Sequence, residues 1–167
     1  MGLPVLVLIG PPGSGKSTVG RVIADRWSVP FRDTDEDIEA MAGKEVSAIF
    51  IDDGEETFRT FEREAVRTAI AEHSGVLALG GGAVLDQRNR DLLQGLLVVF
   101  LDVDLGDAVT RVGLARERPW LLPSPRAHLK WLLEQRRPIY LSTASAVVST
   151  TQRTPEEIAD DIEALRK

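Results

Sequence analysis

The residues best equipped for chemistry stand near the start of the chain. Gly10-Pro11-Pro12-Gly13-Ser14-Gly15-Lys16-Ser17 fits the pattern GxxxxGK[ST]. It follows the apolar run Val5-Leu6-Val7-Leu8-Ile9 and precedes Val19, Val22, Ile23 and Trp27 at helical spacing. Strand, loop and helix in that order are the setting in which the pattern binds phosphate. Glycines allow a tight loop with its N–H groups turned inward, and the helix N-terminus adds a favourable dipole. Lys16 is expected to reach the β- and γ-phosphates of a nucleotide, and Ser17 to offer its hydroxyl to Mg2+. Gly13, Ser14, Gly15 and Thr18 belong to the same nucleotide cradle. A chance match is expected in about one chain in a hundred at ordinary residue frequencies. A phosphate loop serves transferases, switches and motors alike, so the remaining residues must decide.

Asp33-Thr34-Asp35 stands where a second strand would end. Residues two apart in extended chain face the same way, so both carboxylates can look toward the loop. One would hold a magnesium-bound water, and the other would bind an acceptor hydroxyl and take its proton. An acidic helix start explains the same residues, since Glu36 and Asp37 follow and acids favour that end. The spacing alone leaves both readings open. Phe58-Arg59 precedes Glu62 by one turn. Arg59 can grip a carboxylate through two parallel bonds, although a surface pair with Glu62 is the simpler reading in isolation. Gly80-Gly81-Gly82 follows an apolar run, and glycines there let a ligand approach the backbone closely. Leu101-Asp102 imitates a magnesium-binding strand end, or caps the next helix. Arg116 and Arg118 lie in a Pro-rich stretch, where an arginine can fold over a transferring phosphoryl group. Arg136-Arg137 reads as a helix end, where cations need no function.

These residues need elements to hold them. The apolar runs Val5–Ile9, Val29–Phe31, Val76–Leu79, Leu97–Leu101 and Ala146–Val148 read as five strands. Helical patterns run between them, notably Asp35–Ala42 before Gly43, and Phe58, Phe61, Ala65, Val66, Ala69 and Ile70. Thr154-Pro155-Glu156-Glu157 spells a capping box that opens a last helix. Alternating strands and helices imply an α/β fold with a parallel sheet. With 167 residues, 43% of them hydrophobic, the chain suits one domain. The loosest stretch runs from Gly113 to Pro125. A net charge of −6 argues against nucleic-acid binding. There is no cysteine, and His73 and His128 lack metal-site spacing. No apolar run is long enough to span a membrane, so a cytoplasmic protein is expected.

In order and spacing the motifs resemble the shikimate kinase family. The likeness rests on Gly10 to Ser17, Asp33-Thr34-Asp35, Gly54-Glu55 before Phe58-Arg59 and Glu62, Gly80-Gly81-Gly82-Ala83-Val84, Arg118-Pro119, Arg136 with Pro138 and Tyr140, and Arg153 near Pro155. It implies a P-loop NTPase of the nucleoside-monophosphate-kinase-like type: a five-stranded parallel sheet flanked by helices, with a lid. It further implies ATP-dependent phosphorylation of the shikimate 3-hydroxyl. By position, Asp35 would bind the ring hydroxyls and act as base or orienter. Arg59 and Arg136 would grip the carboxylate, with Gly81 and Gly82 lining the site. Asp33 would contact magnesium through water and Ser17 would ligate it. Lys16 and Arg118 would stabilise the phosphoryl group, while Arg111 and Arg153 flank the adenine. Asp102 then becomes a decoy, because the strand ending in the glycine triplet takes the Walker B role. Residues 34–61 would form the substrate-binding region and 112–124 the lid of a single domain, and the enzyme would be a monomer. Trp120 departs from the usual Arg-Pro-Leu-Leu lid. The competing expectations are another small-molecule kinase, such as a gluconate kinase, and a non-catalytic ATP-binding module.

Overall fold

A computed structural model describes residues 2–115 and 125–166. Arg116, Arg118 and Trp120, and with them most of the expected lid, lie outside the described residues. β1 (Leu6–Ile9) has all four residues buried. Its place explains why. The sheet is ordered β2-β3-β1-β4-β5, with β2 Phe31–Asp33, β3 Val76–Ala78, β4 Val98–Asp102 and β5 Ala146–Ser149, and every pairing is parallel. A central parallel strand is covered on both faces and therefore reads as unbroken apolar sequence. The edge strands β2 and β5 are only partly buried.

Alternate residues of β1 feed two cores. Val7 and Ile9 pack with Val66, Ile70, Leu79 and Phe100. Leu6 and Leu8 pack with Val19, Ile23, Ile158 and Ile162. The first core lies under α4 (Glu55–Glu72) and α7 (Pro125–Thr143). The second lies under α1 (Lys16–Trp27) and α8 (Pro155–Arg166). A smaller core of Ile38, Ile49, Phe58 and Ala65 joins α4 to α2 (Thr34–Ala42) and α3 (Val46–Asp52).

Several boundaries differ from the sequence reading. The second strand begins at Phe31 rather than Val29. Pro30 has no N–H to give, and its carbonyl instead accepts from Val76 N at 2.9 Å. The shift carries the strand to Asp33, which becomes the N-cap of α2 and accepts from Asp35 N at 2.9 Å. α3 and α5 (Gln87–Leu92) were not expected, because six or seven residues cannot show a helical stripe. α6 (Leu105–Ala115) runs through Gly113, so the expected loose stretch starts too early. α7 likewise does not end at Arg136 to Tyr140 but passes Pro138 to Thr143. Tyr140 is buried and stacks on Phe100 with ring centroids 5.0 Å apart, which holds the helix against the sheet past the proline.

The last helix opens as expected. Glu157 N donates to Thr154 Oγ1 at 3.1 Å, and Thr154 N donates to the Glu157 carboxylate at 3.2 Å. Two orphan N–H groups are thereby satisfied reciprocally. Thr154→Ala is expected to lower unfolding free energy by about 1 kcal/mol, read from the urea midpoint at unchanged slope.

Candidate active site

The phosphate loop spans the end of β1 and the start of α1. Gly13 and Gly15 take φ of 82° and 89°, conformations that side chains resist. Lys16 Nζ folds back onto Gly10 O at 2.7 Å and Pro11 O at 3.1 Å, so the ammonium lies across the loop. Ser14 is wholly buried beneath it. Gly13, Gly15, Lys16, Ser17 and Thr18 line a cleft of about 350 Å3 together with Asp33 and Asp35. Ser17 Oγ donates to Asp33 Oδ2 at 2.7 Å. The strand-end carboxylate and the loop hydroxyl, far apart in sequence, thus form one oxygen pair. Hard oxygen donors with few protein ligands suit Mg2+, which keeps waters and phosphate oxygens for the rest of its shell. Among the described residues no cluster of three or more His, Cys, Asp or Glu offers a fuller metal cage.

Thr34 is fully buried between the two aspartates, and its Oγ1 accepts from Gly80 N at 3.1 Å. This bond sets the end of β2 against the end of β3. Asp35 then overlies the glycine triplet: a Cβ at Gly80 would lie 2.6 Å from Asp35 Oδ1 and 3.3 Å from Glu62 Oε2. A Cβ at Gly82 would collide with the Arg59 guanidinium. Arg59 donates to Glu62 Oε1 at 2.8 Å and approaches Glu55 at 3.4 Å. Arg59, Glu62, Gly81, Gly82 and Arg136 border a second cleft of about 460 Å3. Pro12, Asp35, Val46 and Gly81 border both clefts. A single groove therefore runs from the phosphate loop, past Asp35, to two arginines.

Glu62 is the electrically unusual member. Its side chain is 2% exposed. Burial pushes its carboxyl up to about 7 and the Asp35 charge adds to the rise, while Arg59 and Arg136 pull against both. Tyr140 lies in the same cluster and donates to Gly81 O at 2.5 Å. Burial raises its phenol to about 12, so it remains a donor at neutral pH.

The adjacent arginines of α7 part company. Arg136 borders the groove, whereas Arg137 pairs with Asp102 at 2.8 Å. Asp102 is not among the residues that line the cleft with Ser17 and Asp33. Arg111 reaches the loop, donating to Gly13 O at 2.9 Å and to Thr150 O at 3.2 Å. Arg153 turns the other way, to Ser149 O at 2.9 Å and Asp161 at 2.8 Å. The structure thus brings together Lys16, Ser17, Asp33, Asp35, Arg59, Gly81, Gly82 and Arg136, and it sets Arg111 against the loop. Arg118 lies outside the described residues. Sequence reasoning missed the buried state of Glu62, the tie made by Thr34, and a groove wall that includes Phe50, Leu85 and Trp131. The Arg59–Glu62 spacing was the one local signal for any of these.

The family model described as Shikimate kinase matches residues 12–166. A shikimate kinase of Salinispora tropica is 60% identical over 97% of this chain and 97% of its own length. Among solved structures, shikimate kinase from Acinetobacter baumannii in complex with shikimate is 34% identical with a TM-score of 0.93, over 99% of this chain and 93% of that one. Shikimate kinase from Aquifex aeolicus is 32% identical with a TM-score of 0.82, over 95% and 94% respectively.

The Glu62 environment predicts a stability profile. Its folded value of about 7 stands above the ordinary 4.5 of an exposed glutamate, so between those pH values the folded chain binds more protons. Its contribution to stability therefore falls as pH rises from about 4.5 to about 7 and is flat above. Relative to Glu62→Gln, which mimics the protonated carboxyl, the wild-type urea midpoint should drop across that window. Parallel profiles for the two proteins would contradict the assignment.

Proposed function

The chain belongs to the shikimate kinase family, and we propose that it uses MgATP to phosphorylate the 3-hydroxyl of shikimate, yielding shikimate 3-phosphate and ADP on the route to chorismate and the aromatic amino acids. The observation that carries this reading is the continuous groove with the phosphate loop at one end, Asp35 between, and Arg59 and Arg136 at the other. Shikimate is a ring carboxylate bearing hydroxyls. It needs cations at one end and an acceptor of a hydroxyl proton at the other, which is the order in which the groove supplies them.

Phosphoryl transfer rests on positioning and charge stabilisation. Arg59 and Arg136 hold the substrate carboxylate and so fix the ring. Gly81 and Gly82 leave room for it against the backbone. Asp35 accepts a hydrogen bond from the attacking hydroxyl, orients it toward the γ-phosphorus, and takes its proton as the new O–P bond forms and the bond from the γ-phosphorus to the β–γ bridging oxygen breaks, with ADP leaving. Lys16 swings from the loop carbonyls to the β- and γ-phosphates, and Arg118 adds charge from the lid over residues 112–124. Ser17 and Asp33 would hold Mg2+, directly and through water. When bound, that ion supplies charge neutralisation on the β- and γ-phosphate oxygens. Arg111, against the loop and Thr150, borders the side where adenine would lie, with Arg153 beyond it.

Identity of 60% along nearly the whole chain favours shikimate over gluconate as acceptor. The assembled acceptor side favours a transferase over a silent ATP-binding module. None of the described helices is long and apolar enough to cross a membrane, and use of ATP supports a cytoplasmic setting.

The deciding assay is acceptor-dependent ADP release with MgATP, comparing shikimate, quinate, gluconate and nucleoside monophosphates. Selective release with shikimate is expected; release with gluconate alone would transfer the assignment to that acceptor. Arg59→Ala should raise the shikimate KM by roughly one to two orders of magnitude, since a charged hydrogen bond contributes about 1.5–3 kcal/mol. Asp35→Asn should abolish turnover while ATP still binds by calorimetry. Survival of most of the turnover would remove Asp35 from the mechanism.

A further inference from the structure

One face of α7 supplies His128, Trp131, Gln135 and Arg136 to the arginine end of the groove. Their spacing of three, four and one residues keeps them on neighbouring turns. Trp131 borders the cleft yet is 55% exposed. Packing among the described residues gives no account of a large indole left in water at that place, and an indole on the rim of a cleft that holds two arginines offers a flat apolar face to a ligand there. The His128 ring stands 6.1 Å from the indole, tilted by 30°. Phe50 belongs to the lining of the same cleft and packs on Phe58 with ring centroids 4.5 Å apart. The arginine pair therefore sits in a partly aromatic surround.

The substrate assigned above has a matching edge. Its carboxylate is conjugated to a ring double bond, so that end of the molecule is flat and, apart from the carboxylate oxygens, apolar. We infer that Trp131 is a further substrate-binding residue, whose indole covers the carboxylate-bearing edge of shikimate and keeps water from the Arg59–Arg136 grip. This rests on the reading of shikimate as the acceptor. The contact has two physical effects. Apolar area of both indole and ring leaves water on binding. Excluding water also lowers the local dielectric, which strengthens the charged bonds from the arginines and reduces their screening by salt. Neither effect acts at the phosphoryl end of the groove. The indole should therefore influence acceptor affinity and leave the chemical step and the nucleotide alone.

The test compares wild type, Trp131→Ala and Trp131→Phe in acceptor-dependent ADP release, with calorimetric titration of shikimate and thermal unfolding alongside. Trp131→Ala is expected to raise the shikimate KM and dissociation constant by about threefold to tenfold. The ATP KM and kcat should stay within about twofold. Its shikimate KM should also climb more steeply with sodium chloride than that of wild type, since the arginines become open to screening. Trp131→Phe, which keeps a flat apolar face, should recover most of the affinity and the shallow salt dependence. An unchanged shikimate KM in Trp131→Ala overturns the inference. So does a loss shared equally between shikimate and ATP, or one accompanied by a large fall in unfolding temperature, because either marks a structural role. Wild type separates the two levels of the argument. If it turns over shikimate while the variants behave like it, this inference alone fails; if it is silent with shikimate, the functional reading fails and this one with it.

Discussion

The bond from Gly80 N to Thr34 Oγ1, 3.1 Å long and fully buried, joins the two strand ends on which the site is built. It stands between Asp33 and Asp35, so fixing Thr34 fixes the direction of both carboxylates. Asp33 is turned toward Ser17, where it accepts at 2.7 Å. Asp35 is turned over the glycine triplet. A buried N–H left without its acceptor costs about 1–3 kcal/mol, so the register of β2 beside β3 is held by more than the sheet ladder. The hydroxyl also explains why an uncharged residue separates two acids. A third carboxylate there would meet both neighbours in a dry setting, and an apolar residue would leave Gly80 N unpaired.

Charge is distributed around this frame in a way the net value of −6 conceals. An acidic chain that handles two anions must keep selected cations uncompensated. Arg137 is offset by Asp102, and Arg153 by Asp161. Arg59 is held differently, by Glu62 from the same helix, whose carboxyl is raised to about 7 by burial. A carboxyl in that range aligns the guanidinium by a hydrogen bond while only partly cancelling its charge at neutral pH. Arrival of a substrate carboxylate would disfavour the ionised form of Glu62 further. The arginine thus takes its pose from a buried carboxyl that only partly offsets it, and its other counter-charge, Glu55 at 3.4 Å, is solvent-exposed and screened.

What the sequence disclosed follows from the range of each interaction. The phosphate loop was legible because its glycines, lysine and serine act within eight consecutive residues. The five strands were legible because a buried parallel sheet demands apolar runs, and the capping box at Thr154 because it lies within four consecutive residues. Ser17 and one carboxylate of Asp33-Thr34-Asp35 were each legible as magnesium-side groups, but only the resemblance assigned that role to Asp33 rather than Asp35, since nothing local links either to Ser17. Arg136 and Arg137 are adjacent, and the path of α7 past Pro138 decides which one meets the groove. The burial of Glu62 depends on α2 and α3 closing over α4 around Ile38, Ile49, Phe58 and Ala65. α3 itself was too short to announce its presence.

The glycine triplet shows how such long-range demands meet at one place. In the sequence it reads equally as a flexible turn or as a ligand platform. In the structure each of its positions faces a different part of the machinery. A side chain at Gly80 would strike Asp35, one at Gly81 would come within 3.0 Å of Pro12 in the phosphate loop, and one at Gly82 would strike Arg59. Gly81 also gives its carbonyl to Tyr140 of α7. Acceptor carboxylate, phosphate loop and carboxylate grip all close on the same three residues, so a side chain at any of them would have to displace one of those groups. The distance between the two ends of the groove is set by this backbone. A substrate that spans it must therefore match that distance as well as the charge at each end.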